Sequence, residues 1–249
     1  LNSRVQSIMN LPGLVSFWDF QEEAGQARIA KGPVACRLEE MAGPVARTED
    51  GLFGRYAASL QYGQWLRAPR SACPELNFCG KRAAFSILAW LKREDRFYPQ
   101  CQAVAGMWNE TEKKRQYCLF LDLRIWDSAD QIGGHVSSGG GATPGYPWCM
   151  TTAIGATPVT KGEWHCAAFT YDGTYAKVYL DGTLDRREGY NPYLYDEGLH
   201  DGGMDGADFT VGAVHRSGEI GNFYAGLIGG LAIFNRTLTE MEIENISNC

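Results

Sequence analysis

No apolar run in the chain approaches the roughly 20 residues that a membrane-spanning helix needs, the longest candidate being the short Leu227 to Phe234 stretch. No membrane span is expected. Basic residues are the minority: 23 Lys and Arg stand against 29 Asp and Glu, a formal net charge of −6, with no Lys/Arg run. A phosphate backbone recruits the opposite sign, so nucleic acid is excluded as a partner. The chain opens on polar, mildly amphipathic residues without the basic and apolar regions of a secretory leader, so any such leader is expected to be removed ahead of Leu1. A Gly-x-Ser-x-Gly elbow, a His-Glu-x-x-His helix and a phosphate-cradling Gly loop are all missing. Gly139-Gly140-Gly141, followed by Ala-Thr-Pro, reads as a turn-rich loop.

What is present describes a folded chain. Apolar residues make up 45% and aromatics 12% of 249 residues, enough to bury a real core and to exclude disorder. A single domain over 1–249 is expected, because all-β folds of this length run as one unit. Eight cysteines, at 36, 73, 79, 101, 118, 149, 166 and 249, form no Cys-x-x-Cys pair of the zinc or redox type. They read as disulfide partners, with buried free thiols acting as small apolar fillers as the alternative. Cys73 and Cys79, flanking Pro-Glu-Leu-Asn-Phe, are the one plausible local pair.

From Trp164 to Asp185 the pattern is that of an antiparallel meander. Asp172-Gly173 and Asp181-Gly182 sit where tight turns need positive φ, and Ala176, Val178 and Leu180 alternate with Tyr175, Lys177 and Tyr179. Similar runs occur at 14–20, 85–92, 103–108, 117–126, 150–156, 209–214 and 227–234, separated by Gly, Pro, Asn and Asp clusters. Only two stretches look helical: residues 3–10, and the C-terminus, where Thr239 and Glu242 form a capping box. The expectation is an all-β, two-sheet antiparallel sandwich with short helices at its termini.

Four segments then carry a resemblance: Leu14-Val15-Ser16-Phe17-Trp18-Asp19-Phe20, Phe85 through Lys92, Glu163 through Gly182, and Gly226 through Leu238. In order and spacing they resemble the signatures of laminin-G-like domains of the concanavalin A-like lectin/glucanase superfamily, over about residues 14–246. The resemblance implies a jelly roll whose terminal strands meet on one sheet, with ligands on the concave face and its rim loops. Such domains often show Phe-Asp-Glu after the first strand and Ile-Asp-Glu in the last, with acidic groups that can serve a structural calcium, where this chain has Phe20-Gln21-Glu22 and Ile228-Gly229-Gly230. No cofactor is therefore expected. The runner-up cation site is the acidic loop 201–208, with Asp201, Asp205 and Asp208 as its first ligands.

The catalytic pattern of the superfamily's glucanase branch is absent from the sequence. The glucanase branch alternates acidic residues on one strand to set acid and nucleophile on one face. The acid-rich run Glu240 to Glu244 instead lies in the capped helix. Gln131-Ile132-Gly133-Gly134-His135 faintly resembles the Gln-Ile-His of jelly-roll alginate lyases, which keeps a lyase using His135, Arg124 and a tyrosine as an alternative. His165, beside Trp164, reads as a packed strand residue.

The aromatics point to a ligand. Trp18, Trp90 and Trp164 occupy signature positions and read as core anchors. Tyr146 and Trp148 follow the glycine-rich loop, while Tyr190, Tyr193 and Tyr195 lie in the long connection 188–208. Sugar rings stack on aromatics and bond to carboxylates and Arg. These tyrosines and Trp148, with Arg124, His135 and Asp201, are therefore the expected ligand-binding set, the alternative being that the loop aromatics pin their own loops. The two loops are expected to meet over the strand carrying Asp122 and Arg124. The functional expectation is a secreted or cell-surface module that binds a glycan or a glycosylated partner, with a carbohydrate-active enzyme or a structural adhesion domain as alternatives. Sequons at Asn109, Asn235 and Asn245 offer glycosylation sites.

Overall fold

At Asp172 a single carboxylate oxygen accepts from the backbone N–H of Thr174 and of Tyr175, and Gly173 takes φ +90°, so the chain reverses in one tight step. Gly182 does the same after Tyr175–Leu180, giving the expected meander of strands Trp164–Tyr171, Tyr175–Leu180 and Thr183–Leu184. A computed structural model describes residues 2–248 and places this meander at one edge of a nine-stranded antiparallel sheet. Phe85–Arg93 pairs with Trp164–Tyr171 on one side and with Gly226–Phe234 on the other. The first strand, Leu14–Trp18, also pairs with Gly226–Phe234, so the terminal strands do meet on one sheet.

The second sheet has ten strands, with Thr152–Ile154, Ile132–Val136, Lys114–Leu121, Gln102–Asn109 and Phe209–Val211 as neighbours. Between the sheets lies the main core, where Trp18 stacks on Phe209 at 6.0 Å and Phe85 meets Phe169 edge-on at 5.0 Å. The fold is thus a two-sheet antiparallel β-sandwich with short helices, Ser3–Met9 and Glu240–Ser247, at its ends. The capping box is present: Thr239 Oγ1 accepts from Glu242 N–H, and a Glu242 carboxylate oxygen accepts from Thr239 N–H.

The two outer faces are finished differently. On the first sheet, Phe17, Leu88, Trp90 and Phe234 are covered by Val5 and Ile8 of the first helix and Ile243 and Ile246 of the second. On the second sheet, alternation sends Tyr117, Leu119 and Leu121 into the main core and Cys118 and Phe120 outward, where they join Trp108 and Ala103. Irregular loops cover that outward face.

The disulfide differs from the expected local pair. Cys36 is bonded to Cys73, while Cys79 is a free thiol beside Asp201. The intervening 3-10 turn Pro74–Leu76, and Gln116 Nε2 donating to Asn77 Oδ1 and to Phe78 O, turn Cys79 away from Cys73. Cys101, Cys118, Cys149 and Cys166 are free as well, and burial pushes the Cys101 and Cys166 thiols up to about 12. They act as small apolar fillers, whereas Cys249 lies outside the described residues.

Candidate functional site

The floor of the candidate site is the outward face of three neighbouring strands of the second sheet. Lys114–Leu121 sends Phe120 outward beside Cys118, Gln102–Asn109 sends Trp108 outward beside Ala103, and His135 of Ile132–Val136 packs against Trp108 and Phe120. The imidazole stacks on Trp108 at 5.0 Å and meets Phe120 edge-on at 5.2 Å. Its Nδ1 lies 3.1 Å from the Thr151 carbonyl, which fixes the Nδ1–H tautomer of the neutral ring and leaves Nε2 as an acceptor. Burial holds the His135 pKa down to about 4 against the help of that carbonyl, so the ring is neutral at physiological pH.

Above the floor is a cavity of about 370 Å³, within the range of small-ligand sites. Its walls come from separate stretches of the chain and include Arg124, Trp148, Arg216 at the end of strand Val214–Arg216, and Asn222 just after strand Glu219–Gly221. The sequence pattern places Arg124 on a strand, and the structure does not. The strand ends at Leu121, and Asp122, Arg124, Trp126 and Asp127 all take positive φ between 52° and 58°, so they form a tight irregular turn. The Arg124 guanidinium holds that turn: its Nε donates to Asp122 Oδ1 at 2.9 Å, and its terminal nitrogens donate to Pro99 O, Tyr98 O and Asp122 Oδ2. Asp122 keeps Arg124 firmly charged.

Trp148 stands at the mouth, 46% exposed, with the Arg216 guanidinium 5.5 Å from its ring centroid. The Arg216 guanidinium makes no hydrogen bond or ion pair with any described residue. Asn222 is buried with φ +55°; its Nδ2 donates to Cys101 O, while its Oδ1 is a buried acceptor without a partner. Glu110, the carboxylate among the described lining residues, accepts from Trp108 Nε1 at 3.1 Å and pairs with Arg115 at 3.6 Å.

Of the expected set, Arg124, His135 and Trp148 line this one cavity. Tyr146 and Tyr190 do not line it; their rings lie 6.0 and 6.1 Å from that of Trp126. Tyr193, Tyr195 and Asp201 do not belong to the cavity. Tyr195 is buried, its hydroxyl accepting from Ser138 N–H and its carbonyl from the Tyr171 hydroxyl, with Tyr193 stacked on it at 6.3 Å. These rings pin their own loop to the sandwich. The long connection 188–208 instead meets Ser137 and Ser138, just ahead of the loop 139–148, through His200 and Tyr195, at that pin and not over the cavity. Asp201 faces Asn77 and the buried Arg70 at 3.8 Å, and Asp208 accepts from Arg70 N–H, so the acidic loop wraps a guanidinium. Sequence reasoning missed Trp108, Phe120, Arg216 and Asn222. Alternation around 117–121 offers a signal for Phe120, but nothing local marks Arg216 or Asn222.

Comparisons with known proteins agree with the architecture. No curated protein matches the chain. Domain 4 of AbnA, an extracellular GH43 arabinanase from Geobacillus stearothermophilus solved with arabinotriose, superposes with a TM-score of 0.62 at 18% identity, covering 94% of this chain and 98% of that one. Trypanosoma rangeli sialidase gives a TM-score of 0.59 at 15% identity over 96% of this chain, which spans 33% of the sialidase. The botulinum neurotoxin serotype D ligand-binding domain, in complex with N-acetylneuraminic acid, gives 0.57 at 11% identity, with 98% of this chain and 52% of that one covered. At such identities the likeness establishes the fold. The sequence over residues 69–244 matches the Laminin_G_3 model, and the chain belongs to that family, within the concanavalin A-like lectin/glucanases superfamily.

Proposed function

We propose that the protein is an extracellular module that binds a glycan, free or on a glycosylated partner, in the cavity walled by Arg124, Trp148, Arg216 and Asn222. The observation that carries this reading is the pairing of a half-exposed indole with polar groups that the protein leaves unused. Trp148 presents an apolar face at the mouth, while the Arg216 guanidinium and Asn222 Oδ1 have no hydrogen-bond partner among the described residues. A sugar ring supplies a C–H face for the first and hydroxyls for the others. Neutral His135 adds an acceptor at the floor.

The chemistry favours binding over turnover. Both oxygens of Glu110 are engaged by Trp108 and Arg115, whereas glycoside hydrolysis needs two carboxylates flanking the scissile bond. No tyrosine is among the described residues lining the cavity that would complete the lyase set with His135 and Arg124. Structures of similar fold contain arabinotriose or N-acetylneuraminic acid, which supports a carbohydrate ligand. The Cys36–Cys73 disulfide supports an oxidising, extracellular setting. A glycan array run beside reducing-end and unsaturated-product assays tests the proposal. Binding without new products is expected; turnover of a bound glycan, or no glycan bound at all, overturns it.

A further inference from the structure

The cavity continues. Arg124 lines both it and a second depression of about 150 Å³, whose walls include Arg96, Phe97 and Lys161. Phe97 is 72% exposed and lies over the Arg124 guanidinium at 4.9 Å, so an apolar ring tops the ridge between the two depressions. A ligand that fills the first depression and crosses Phe97 enters the second without leaving the surface.

Charge along this path runs against the rest of the chain. The molecule carries a net charge of −6, yet every carboxylate lining the two depressions is already engaged: Glu110 by Arg115, Asp122 by Arg124, and Asp130 by Arg93. Arg216, Arg96 and Lys161 have no carboxylate within ion-pair distance among the described residues. A cleft lined by unpaired charge of one sign concentrates its field and draws ligands of the other. The planar fork of Arg216 suits a carboxylate or sulfate, which takes two parallel N–H bonds from it.

We infer that the ligand is an anionic oligosaccharide, with one acidic unit held between Trp148 and Arg216 and a later acidic unit carried across Phe97 toward Arg96 and Lys161. This rests on the glycan-binding reading and adds to it the charge and length of the ligand. Size alone suits a neutral sugar in the first depression, but a neutral sugar leaves the charges of Arg216, Arg96 and Lys161 without a counter-ion. The anionic groups are carboxylates or sulfate esters, which share this chemistry.

The test is an array of neutral, carboxylated and sulfated oligosaccharides from mono- to hexasaccharide, followed by calorimetric titration of the strongest binder at low and high salt. Bound glycans are expected to be acidic, to bind more tightly beyond the monosaccharide, and to weaken as salt rises. Carboxylated and sulfated members, scored separately, show which anion is read. Arg216→Gln is expected to weaken the acidic ligand about tenfold, the loss of a charge-assisted contact. Lys161→Gln is expected to weaken long acidic ligands and leave the shortest bound one unchanged. Unchanged melting temperatures show that both variants are folded, and Arg216→Lys serves as the charge-preserving control if Arg216→Gln fails to fold. Binding confined to neutral glycans, or acidic binding indifferent to Arg216, overturns this inference while leaving the glycan-binding reading standing. An array with nothing bound removes the reading itself.

Discussion

The outer faces of the two sheets start from the same alternation and end as different surfaces. On the first, Trp90 packs edge-on against Phe53 at 4.8 Å and donates its indole N–H to Ser247 O, closed over by two short helices. On the second, Trp108 and Phe120 are roofed by turns in which Arg124 and Asn222 take positive φ, together with Arg216 at a strand end. Helices satisfy their own backbone and present an apolar stripe, so they close a face completely. Irregular loops must spend side chains on their own polar groups and cannot tile a flat apolar surface, so they leave a cavity with polar walls. The proposed binding site on this sandwich lies on the face that helices did not seal.

The largest expected effect lies on the sealed face. Trp90→Ala removes a side chain that is 2% exposed and should destabilise the fold by about 3 to 5 kcal/mol, read as a large fall in melting temperature. If the loss is under about 1 kcal/mol, the helices are not a structural cover and the contrast between the faces fails. Next is the disulfide, which belongs to neither face. Reduction, or Cys36→Ala with Cys73→Ala, should cost about 3 kcal/mol by freeing a loop with a sequence separation of 37. Thiol labelling before reduction should modify Cys79 and spare Cys36 and Cys73.

On the open face the balance reverses. Trp148→Ala should cost about 2 kcal/mol in glycan binding by titration calorimetry while leaving the melting curve nearly unchanged, because the ring is 46% exposed. Unfolding of that variant would make Trp148 a core residue and erase the distinction. The smallest effect is a pH dependence at the helix that closes the first face. The Arg236 guanidinium and the capping bond from Thr239 hold the Glu242 carboxyl at about 2, below its unfolded value of 4.5. Its stabilisation is therefore complete above pH 4.5 and is lost as pH falls toward 2, where the unfolded chain binds the proton first. Glu242→Gln should flatten melting temperature against pH in that window and leave glycan binding at neutral pH untouched.

Much of the first face was legible in the sequence. The meander, the 85–93 and 226–234 strands and the capping box all have local causes: turn chemistry, alternation and a side chain three residues from its partner. On the second face the alternation of 117–121 continues through 126, yet the strand stops at Leu121. The Arg124 side chain, bonded to Asp122, Tyr98 O and Pro99 O, stabilises a turn that backbone periodicity cannot foresee. The long loop aromatics divided for a similar reason. Tyr195 finds Tyr171 and Ser138 and is buried, whereas Trp148 finds Arg216 and stays at the surface. Composition made them look alike, and their partners separated them.

The sequence by itself determined that this chain makes antiparallel strands, where most of them lie, how its last helix is capped and which family it joins, because each is written in short-range spacing. Only the tertiary structure decided that Cys36 takes Cys73, that Asp201 serves Arg70, and that Arg124, His135, Trp148, Arg216 and Asn222 share one cavity. Those meetings follow from sheet order, in which Gln102–Asn109 lies between Lys114–Leu121 and Phe209–Val211 and touches the strand carrying Arg216. Strand neighbours so far apart in the chain are selected by the packing of the whole sandwich, and no local pattern encodes them.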